Sequence, residues 1–270
     1  MSGRKAPPLP RPPMMTTPTT MTAMTTNPPP GPAPQLLLIP GLAGDATMWR
    51  LQRAVLPAAL RPEITEVHTR PEATTVQAMA ALLLAQYPGP LLLCGASMGG
   101  MIAMEAARQA PGRVVGLALL GTTARPETLE MQALREAAIA LFEQGRVREV
   151  IEPNVAFAFH PTSAARAELV QDYLDFVLRA GPEQLVRQNR AVIVRPDARL
   201  HLPQVKCPVL VVCGEADQLT PLVCSEEIAG LVPGAEFEVV ADCGHMLTME
   251  RPEVVNTLLT QWLQRGGWTG

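Results

Sequence analysis

Lysine and charged side chains are scarce in this sequence, and their scarcity excludes several classes of protein. Lys5 and Lys206 are its only lysines among 22 basic residues, and charged residues make up 17% of the 270 positions. The formal net charge of −3 provides no electrostatic attraction for nucleic acid or an anionic membrane. No apolar run reaches the roughly 18 residues of a membrane-spanning helix, because proline and glycine interrupt the longest one, at 80–96. We therefore expect neither nucleic acid nor a membrane as a partner.

Cysteine is also scarce, and its spacing excludes the usual metal and disulfide arrangements. The chain has 5 cysteines, an odd number, and no Cys-x-x-Cys pair. Apolar neighbours of Cys94 and Cys213 favour reduced thiols buried in a core. These observations predict a cytoplasmic protein that lives in a reducing compartment and has no structural metal.

The composition changes near the amino terminus. Residues 1–34 contain many of the chain's 28 prolines, many threonines and no acidic residue. Such a segment cannot bury enough apolar surface to offset its ordering entropy, so a disordered tail with polyproline II character is predicted. Residues 35–270 are expected to fold, since hydrophobic residues make up 47% of the chain.

Short apolar segments alternate with helical patterns along most of 35–270. Strands are predicted at 35–39, 91–94, 114–120, 209–213 and 236–240, and helices at 74–86, 98–109, 224–231 and 252–264. Fully apolar strands separated by helices indicate a parallel sheet that is covered on both faces. Between 122 and 203 the strand signals stop, and helices are predicted at 128–144, 147–155, 163–180 and 182–194. The sequence therefore predicts an α/β core with a four-helix insertion.

A Gly-x-Ser-x-Gly motif spans Gly95, Ser97 and Gly99. The predicted strand 91–94 leads into it and the predicted helix 98–109 leaves it, which is the context of a nucleophile elbow. Glycine at both flanks relieves crowding at a sharp turn whose serine is exposed to substrate. The alternative is a serine that only caps the following helix.

A serine hydroxyl needs a base and an orienting acid to become a nucleophile. For this elbow the expected chain order is serine, acid, histidine, which points to Asp217 and His245. Each follows a predicted strand, at the sheet edge where ligands bind. Glu215 and Asp242 are rival acids, but the first lies too close to its strand and the second too close to His245. The other histidines fit less well: His68, His160 and His201.

The tetrahedral intermediate of acyl transfer needs backbone N–H donors. The N–H of Met98, directly after the serine, is one candidate. The second donor is expected in the segment Pro40-Gly41-Leu42-Ala43-Gly44, after the first core strand. We predict that it is the N–H of Leu42. An ordinary turn is the alternative for this segment.

Taken together, Pro40-Gly41, the serine motif, Gly-x-x-Asp217 and Gly-His245 resemble the α/β-hydrolase superfamily over nearly all of 35–270. The insertion resembles the cap of small bacterial carboxylesterases, and the plan is similar to pimeloyl-acyl-carrier-protein methyl ester esterases and meta-cleavage-product hydrolases. This resemblance implies an α/β-hydrolase core at 35–121 and 204–270, a cap at 122–203, and catalysis without metal or organic cofactor. Many relatives have His-Gly where this chain has Pro40-Gly41, a change that keeps the backbone donor.

The resulting hypothesis is a hydrolase that cleaves a small-molecule carboxylic ester or thioester through an acyl-enzyme on Ser97. Carbon–carbon bond cleavage of the meta-cleavage type and a non-catalytic ligand-binding protein are the alternatives, and a monomer or homodimer is expected. No predicted catalytic group lies in 122–203, so the cap is expected to set specificity. Its candidate substrate contacts are Phe157, Arg190 and Arg195, with Met246 from the core; the arginines could bind a carboxylate, or could be solvated or structurally paired.

Overall fold

A computed structural model of the protein describes residue 3 and residues 33–269. The tail predicted for 1–34 lies outside the described residues apart from positions 3, 33 and 34, and residues 33–269 belong to one compact unit. Within that range no helix combines the length and the apolar composition needed to cross a membrane.

The described part of the chain contains one sheet of six parallel strands, in the order β2-β1-β3-β4-β5-β6. Its strands are β1 (Gln35–Ile39), β2 (Glu63–Ile64), β3 (Leu91–Ala96), β4 (Val114–Leu120), β5 (Val209–Gly214) and β6 (Glu236–Val240). Every residue of β3 and β5 is buried, which explains their continuous apolar sequences. The predicted parallel sheet is confirmed, and its strands end at a common edge.

Helices cover both faces of this sheet. They are α1 (Arg50–Arg53), α2 (Val76–Gln86), α3 (Met98–Gln109), α4 (Leu129–Glu143), α5 (Val147–Ala158), α6 (Pro161–Ala164), α7 (Ala167–Ile193), α8 (Leu222–Leu231), α9 (Leu247–Glu250) and α10 (Pro252–Arg265). Short 3-10 helices lie at Ala46–Trp49, Ala58–Leu60, Val67–Thr69, Ala198–Leu200 and Leu202–Gln204. The helices α4–α7 all fall between β4 and β5, and we call the segment 122–203 the cap.

Alternate residues of each strand enter two different hydrophobic cores. In β1, Leu37 and Ile39 pack with the apolar side chains of α2, α3 and α8. Leu36 and Leu38 face the opposite side and join the core formed by α10 and the cap helices. This alternation follows from the two-residue period of a strand. Most buried cap residues join this second core, while Ala191 and Val192 of α7 join the first.

The long cap helix α7 is broken at Gly181, where the backbone adopts φ 72° and ψ 168°. A positive φ suits glycine, and Pro182 next to it cannot donate a backbone hydrogen bond. The two halves correspond to the helices predicted at 163–180 and 182–194, although the first begins later because α6 is separate. α5 also extends beyond its predicted end at 155, to Ala158.

Candidate active site

Ser97 occupies the sharp turn between β3 and α3 and has a strained backbone. Its φ of 54° and ψ of −120° are unusual for a residue with a side chain. A Cβ on Gly95 would overlap the carbonyl of Gly99, and a Cβ on Gly99 would overlap the carbonyl oxygen of Ile39. Both glycines of the motif are thus required by close backbone contacts, and the serine is held at the apex.

Adding a methyl group at Gly99 should disrupt this turn. Gly99→Ala places Cβ against the backbone of β1, which cannot move without distorting the sheet, so we expect a loss of about 3 kcal/mol in the free energy of unfolding. Gly112→Ala is the matched control, because no atom lies within 4 Å of its added Cβ. Urea unfolding of both variants measures the difference, and equal stabilities would contradict the steric explanation.

Asp217 and His245 form a buried hydrogen-bonded pair beyond the ends of β5 and β6. His245 Nδ1 lies 2.8 Å from Asp217 Oδ2. The other carboxylate oxygen, Oδ1, accepts the N–H groups of Leu219 and Thr220, both at 2.9 Å. Thr220 Oγ1 donates to Oδ2 at 2.9 Å. A carboxylate only accepts, so His245 carries its proton on Nδ1 and leaves Nε2 free to take a proton.

Burial and charge act in opposite directions on this pair. Burial by itself would lower the pKa of His245, but the negative charge and hydrogen bond of Asp217, with a contribution from Glu250, raise it above the ordinary value. Burial would raise the pKa of Asp217, but His245 and the hydrogen bonds of Thr220 hold it below the ordinary value. The carboxylate is therefore charged at neutral pH and stabilises a protonated imidazole.

The end of β4 connects the serine turn to the histidine–aspartate pair. Ser97 N–H donates to Leu120 at 2.9 Å, and Thr122 Oγ1 donates to the Ser97 carbonyl at 2.7 Å. The intervening Gly121 faces the pair: a Cβ there would lie 3.2 Å from Asp217 Oδ2 and 3.4 Å from His245 Nδ1. The serine turn and the pair thus border the same short segment of the sheet edge.

The rival acids and histidines lie in other environments. The Asp242 side chain is 71% exposed and lies 3.8 Å from Arg251, whereas Glu215 approaches the N–H of Asp242 at 3.5 Å. The other histidine contacts are local or lie elsewhere: His160 with Thr162, His201 with Met104, and His68 with Gly44. Asp217 is therefore the carboxylate that hydrogen-bonds His245.

Cysteine does not provide a competing nucleophile beside this pair. Cys213 is the penultimate residue of β5 and Cys243 lies just before the His245 turn, and both are buried free thiols. Burial raises the pKa of Cys213 to about 11 and that of Cys243 further. Since the thiolate is the reactive form, these thiols are inert at neutral pH.

The turn 40–44 follows β1 and approaches the serine. A Cβ on Gly41 would lie 3.1 Å from Ser97 Cβ. The N–H groups around Leu42 have internal acceptors: Gly41 donates to Met48 Sδ at 3.3 Å, and Ala43 donates to Gln188 Oε1 at 2.8 Å. Among the described residues, the N–H of Leu42 has no acceptor. The N–H of Met98 is the first of α3, a position without a partner inside its helix.

Glu250, which the sequence analysis did not single out, anchors the His245 turn. This buried side chain accepts the N–H groups of Gly244 at 3.0 Å and Met246 at 3.1 Å, on either side of the histidine. It also accepts the N–H of His160, directly before the cap helix α6, at 2.9 Å. The carbonyl of Ala158 accepts the N–H of His245 at 2.9 Å. The cap thus contacts the histidine turn directly.

Arg195, a predicted substrate contact, has a structural partner in Glu127. Its buried guanidinium forms a two-pronged ion pair with Glu127, at 2.6 and 3.0 Å, and also donates to the carbonyl of Arg125 at 2.7 Å. Glu127 lies where the chain enters the cap and Arg195 where it returns, so this pair closes the base of the insertion. Most of its donors are engaged by these partners, and a substrate contact of Arg195 stays a prediction.

The other predicted cap contacts are also placed by the structure. Arg190 pairs with Glu143 at 2.7 Å on a solvent-exposed helix face. Phe157 on α5 is 52% exposed, whereas Met246 is buried in the core that the cap shares. Asp197 pairs with Arg199, at 2.6 Å. Arg190 and Arg199 thus form local ion pairs, and substrate contacts of Phe157, Arg190 and Met246 stay predictions.

Removing the arginine at the base of the cap should affect stability rather than binding alone. Arg195→Ala removes the two-pronged partner of the buried Glu127 but leaves its ion pair with Arg135, at 2.6 Å, so we expect a cost of about 2 kcal/mol, less than for a buried charge left unpaired. The control Arg190→Ala breaks an exposed pair and should cost under about 1 kcal/mol. Thermal unfolding and KM for charged and uncharged esters measure both effects. A rise in KM for charged esters alone in Arg195→Ala would restore the substrate-binding interpretation.

No group of three or more His, Cys, Asp or Glu side chains that could hold a metal ion occurs within the described residues. The arrangement at the sheet edge instead combines a strained serine, an imidazole held by a carboxylate, and free backbone N–H groups. That combination is typical of acyl transfer.

The sequence pattern of the alpha/beta hydrolase family matches residues 36–258. The chain belongs to the alpha/beta hydrolase family, and the sheet order and serine turn described above are those of an enzyme of this fold.

Among known proteins, the chain is similar to a pimeloyl-[acyl-carrier protein] methyl ester esterase of Aromatoleum aromaticum. The two are 28% identical over 236 residues, which cover 82% of this chain and 94% of that protein. A thermophilic esterase from Thermogutta terrifontis has a similar structure, with a TM-score of 0.78, 27% identity and coverage of 87% of this chain and 91% of that chain. The enol-lactonase from Burkholderia xenovorans LB400 shares the fold, with a TM-score of 0.76 at 21% identity over 87% and 92% of the two chains. Its relatives identify the protein as a hydrolase.

Proposed function

We propose that the protein cleaves a small-molecule carboxylic ester or thioester through an acyl-enzyme on Ser97. The observation that carries this proposal is the strained backbone of Ser97, at φ 54°, beside the buried Asp217–His245 pair. Strain of this kind persists where the surrounding structure enforces it, and it clusters at functional sites. The esterase names of the similar proteins support an ester as the substrate.

In the proposed first step, Ser97 Oγ attacks the carbonyl carbon while His245 Nε2 takes the hydroxyl proton. The negative oxygen of the tetrahedral intermediate accepts hydrogen bonds from the N–H groups of Leu42 and Met98. The intermediate collapses, and the alcohol or thiol leaves with the proton from His245. Asp217 keeps the imidazole in the required tautomer and stabilises its protonated form.

The second step reverses the first with water as the nucleophile. His245 takes a proton from water, and the resulting hydroxide attacks the acyl carbon. When this intermediate collapses, the proton returns to Ser97 Oγ and the carboxylic acid leaves. No residue described above needs a metal or an organic cofactor for either step.

Labelling with a fluorophosphonate tests the proposal directly, because an activated serine displaces fluoride from this probe and becomes phosphonylated. We expect one label per chain, on Ser97, and no label after Ser97→Ala. A panel of nitrophenyl esters of increasing acyl length would then define the acyl site. Hydrolysis of a vinylogous diketone acid without any ester hydrolysis would replace the ester proposal with carbon–carbon bond cleavage. An unlabelled, inactive wild-type protein would contradict both reactions.

A further inference from the structure

The cap contributes one buried side chain, Gln188, to the turn that carries the proposed oxyanion donor. Gln188 is 0% exposed and lies on the second half of α7. Its Oε1 accepts the N–H of Ala43 at 2.8 Å, and its Nε2 donates to the carbonyl of His68 at 3.0 Å. Both ends of the amide are thus satisfied, and the side chain bridges two segments of the core.

A second hydrogen bond links these two segments directly. His68 Nε2 lies 2.9 Å from the carbonyl oxygen of Gly44. Burial lowers the pKa of His68, so the ring is neutral at neutral pH, and a carbonyl partner requires the proton on Nε2. The amide of Gln188, the imidazole of His68 and the turn residues Ala43 and Gly44 therefore form a closed hydrogen-bonded ring.

This ring restrains a backbone that is unfavourable by itself. Ala43 has a φ of 59°, in the left-handed region that residues other than glycine rarely adopt. Such a conformation costs on the order of 1–3 kcal/mol and persists when its surroundings enforce it. The hydrogen bond from the Ala43 N–H to Gln188 Oε1 helps to hold Ala43 in this conformation.

The direction of the Leu42 N–H depends on the peptide groups on either side of it. Gly41 N–H is held by Met48, and Ala43 N–H is held by Gln188. The carbonyl of the same peptide, that of Gly41, accepts the N–H of Gly44 at 3.1 Å. With this carbonyl and both neighbouring N–H groups held, the peptide that carries the Leu42 N–H has little freedom to rotate. A free donor between two fixed ones is the geometry that a preorganised oxyanion site requires.

The first half of α7 contacts the same turn from the other side of the break at Gly181. Arg179 donates to Asp45 Oδ2 at 2.6 Å and to Thr47 Oγ1 at 3.1 Å. This ion pair is more exposed than Gln188, so we expect it to contribute less.

We propose that Gln188 is a positioning residue for the oxyanion hole, through which the cap fixes the direction of the Leu42 N–H. The inference rests on the proposed serine mechanism. It assigns the cap a role in the chemical step, in addition to its expected role in specificity.

The test is Gln188→Met, which keeps the length of the side chain and removes both hydrogen bonds. Because the donor acts in the transition state, we expect kcat for a nitrophenyl ester to fall about 10- to 100-fold and KM to change less than about threefold. A trifluoromethyl ketone, whose hemiketal oxygen occupies the oxyanion position after addition of Ser97, should bind weaker by the same factor as kcat. Gln184→Met, one turn earlier on α7, is the matched control and should retain wild-type values.

Gln188→Glu tests the same contact by rescue. Burial raises the pKa of a carboxyl group, and the protonated form can still accept from Ala43 and donate to His68. We expect this variant to recover most of the kcat that the methionine variant loses. If Gln188→Met does not fold, Gln188→Asn serves instead, because it keeps polarity but is one methylene too short to reach Ala43.

Each outcome decides the inference. A methionine variant with the control's kcat and inhibitor affinity, whether or not its Tm falls, would show that Gln188 is only structural. Equal losses of kcat in the methionine and glutamate variants would also overturn it. Failure of the proposed function itself looks different, since wild-type protein would then lack the fluorophosphonate label on Ser97, and the positioning role would fall with it.

Discussion

Turnover of an ester substrate should fall by about 10³- to 10⁶-fold when Ser97 or His245 is replaced by alanine. Without the hydroxyl no acyl-enzyme forms, and without the imidazole nothing removes the hydroxyl proton at neutral pH. The double variant should be little worse than either single one, because the two side chains act as one unit. Initial rates over a range of ester concentrations measure kcat and KM separately.

Two controls make this result specific. Ser163→Ala removes a buried hydroxyl from the cap, and His201→Ala removes a half-buried imidazole near Met104; both should keep turnover near the wild-type value. Far-UV circular dichroism of each variant checks that the fold survives. Retention of more than a tenth of wild-type turnover in Ser97→Ala would contradict the proposed nucleophile.

The second large effect is expected for Asp217→Asn, at about 10²- to 10⁴-fold in kcat. The serine and imidazole remain, so the loss should be smaller than for either of them. An amide at this position no longer holds the tautomer that leaves Nε2 free, and it cannot stabilise the charged imidazole. Asp242→Asn is the matched control, because its side chain is exposed and asparagine tolerates the positive φ of 50° at this position. A silent Asp217→Asn and an inactive Asp242→Asn would reverse the assignment of the acid.

The pH profile gives this prediction a second readout. The base must be neutral to act, so kcat/KM is lost as pH falls through the pKa of His245. Asp217 raises that pKa above the ordinary histidine value of 6.5, and the acid limb of the wild-type profile should therefore lie above it. Removing the charge of Asp217 should move this limb to lower pH. A limb unchanged in Asp217→Asn would show that another group controls it.

The strands and the site residues at the sheet edge could be predicted because each has a recognisable pattern in its local sequence. β1, β4 and β6 have the predicted ends: Pro40 follows β1, Gly121 follows β4, and β6 ends two residues before Asp242. The serine turn was visible because backbone crowding demands glycine at 95 and 99. β2 was missed because two residues, Glu63 and Ile64, carry no period.

Contacts between distant parts of the chain left no such pattern. Gln188 and Ala43 are 145 positions apart, and Arg195 and Glu127 are 68 apart. An arginine on a helix looks the same in sequence whether it binds substrate or closes the base of a cap. Glu250 and Thr220 were easier to predict from the sequence, because each lies within five residues of a predicted active-site side chain. At that distance each can hydrogen-bond nearby backbone N–H groups or the carboxylate.

The direct contacts between cap and catalytic turns limit how this enzyme can be re-engineered. Exchange of residues 122–203 for the cap of another hydrolase would also remove the Gln188 amide and the Ala158 carbonyl, which hold the turns of Leu42 and His245. Such a chimera would acquire the substrate pocket of the other hydrolase but lose two hydrogen bonds that hold the active-site turns of this protein. Successful grafts should therefore be those in which the incoming cap presents an amide and a carbonyl at these two places, and random cap libraries should be enriched for them under selection.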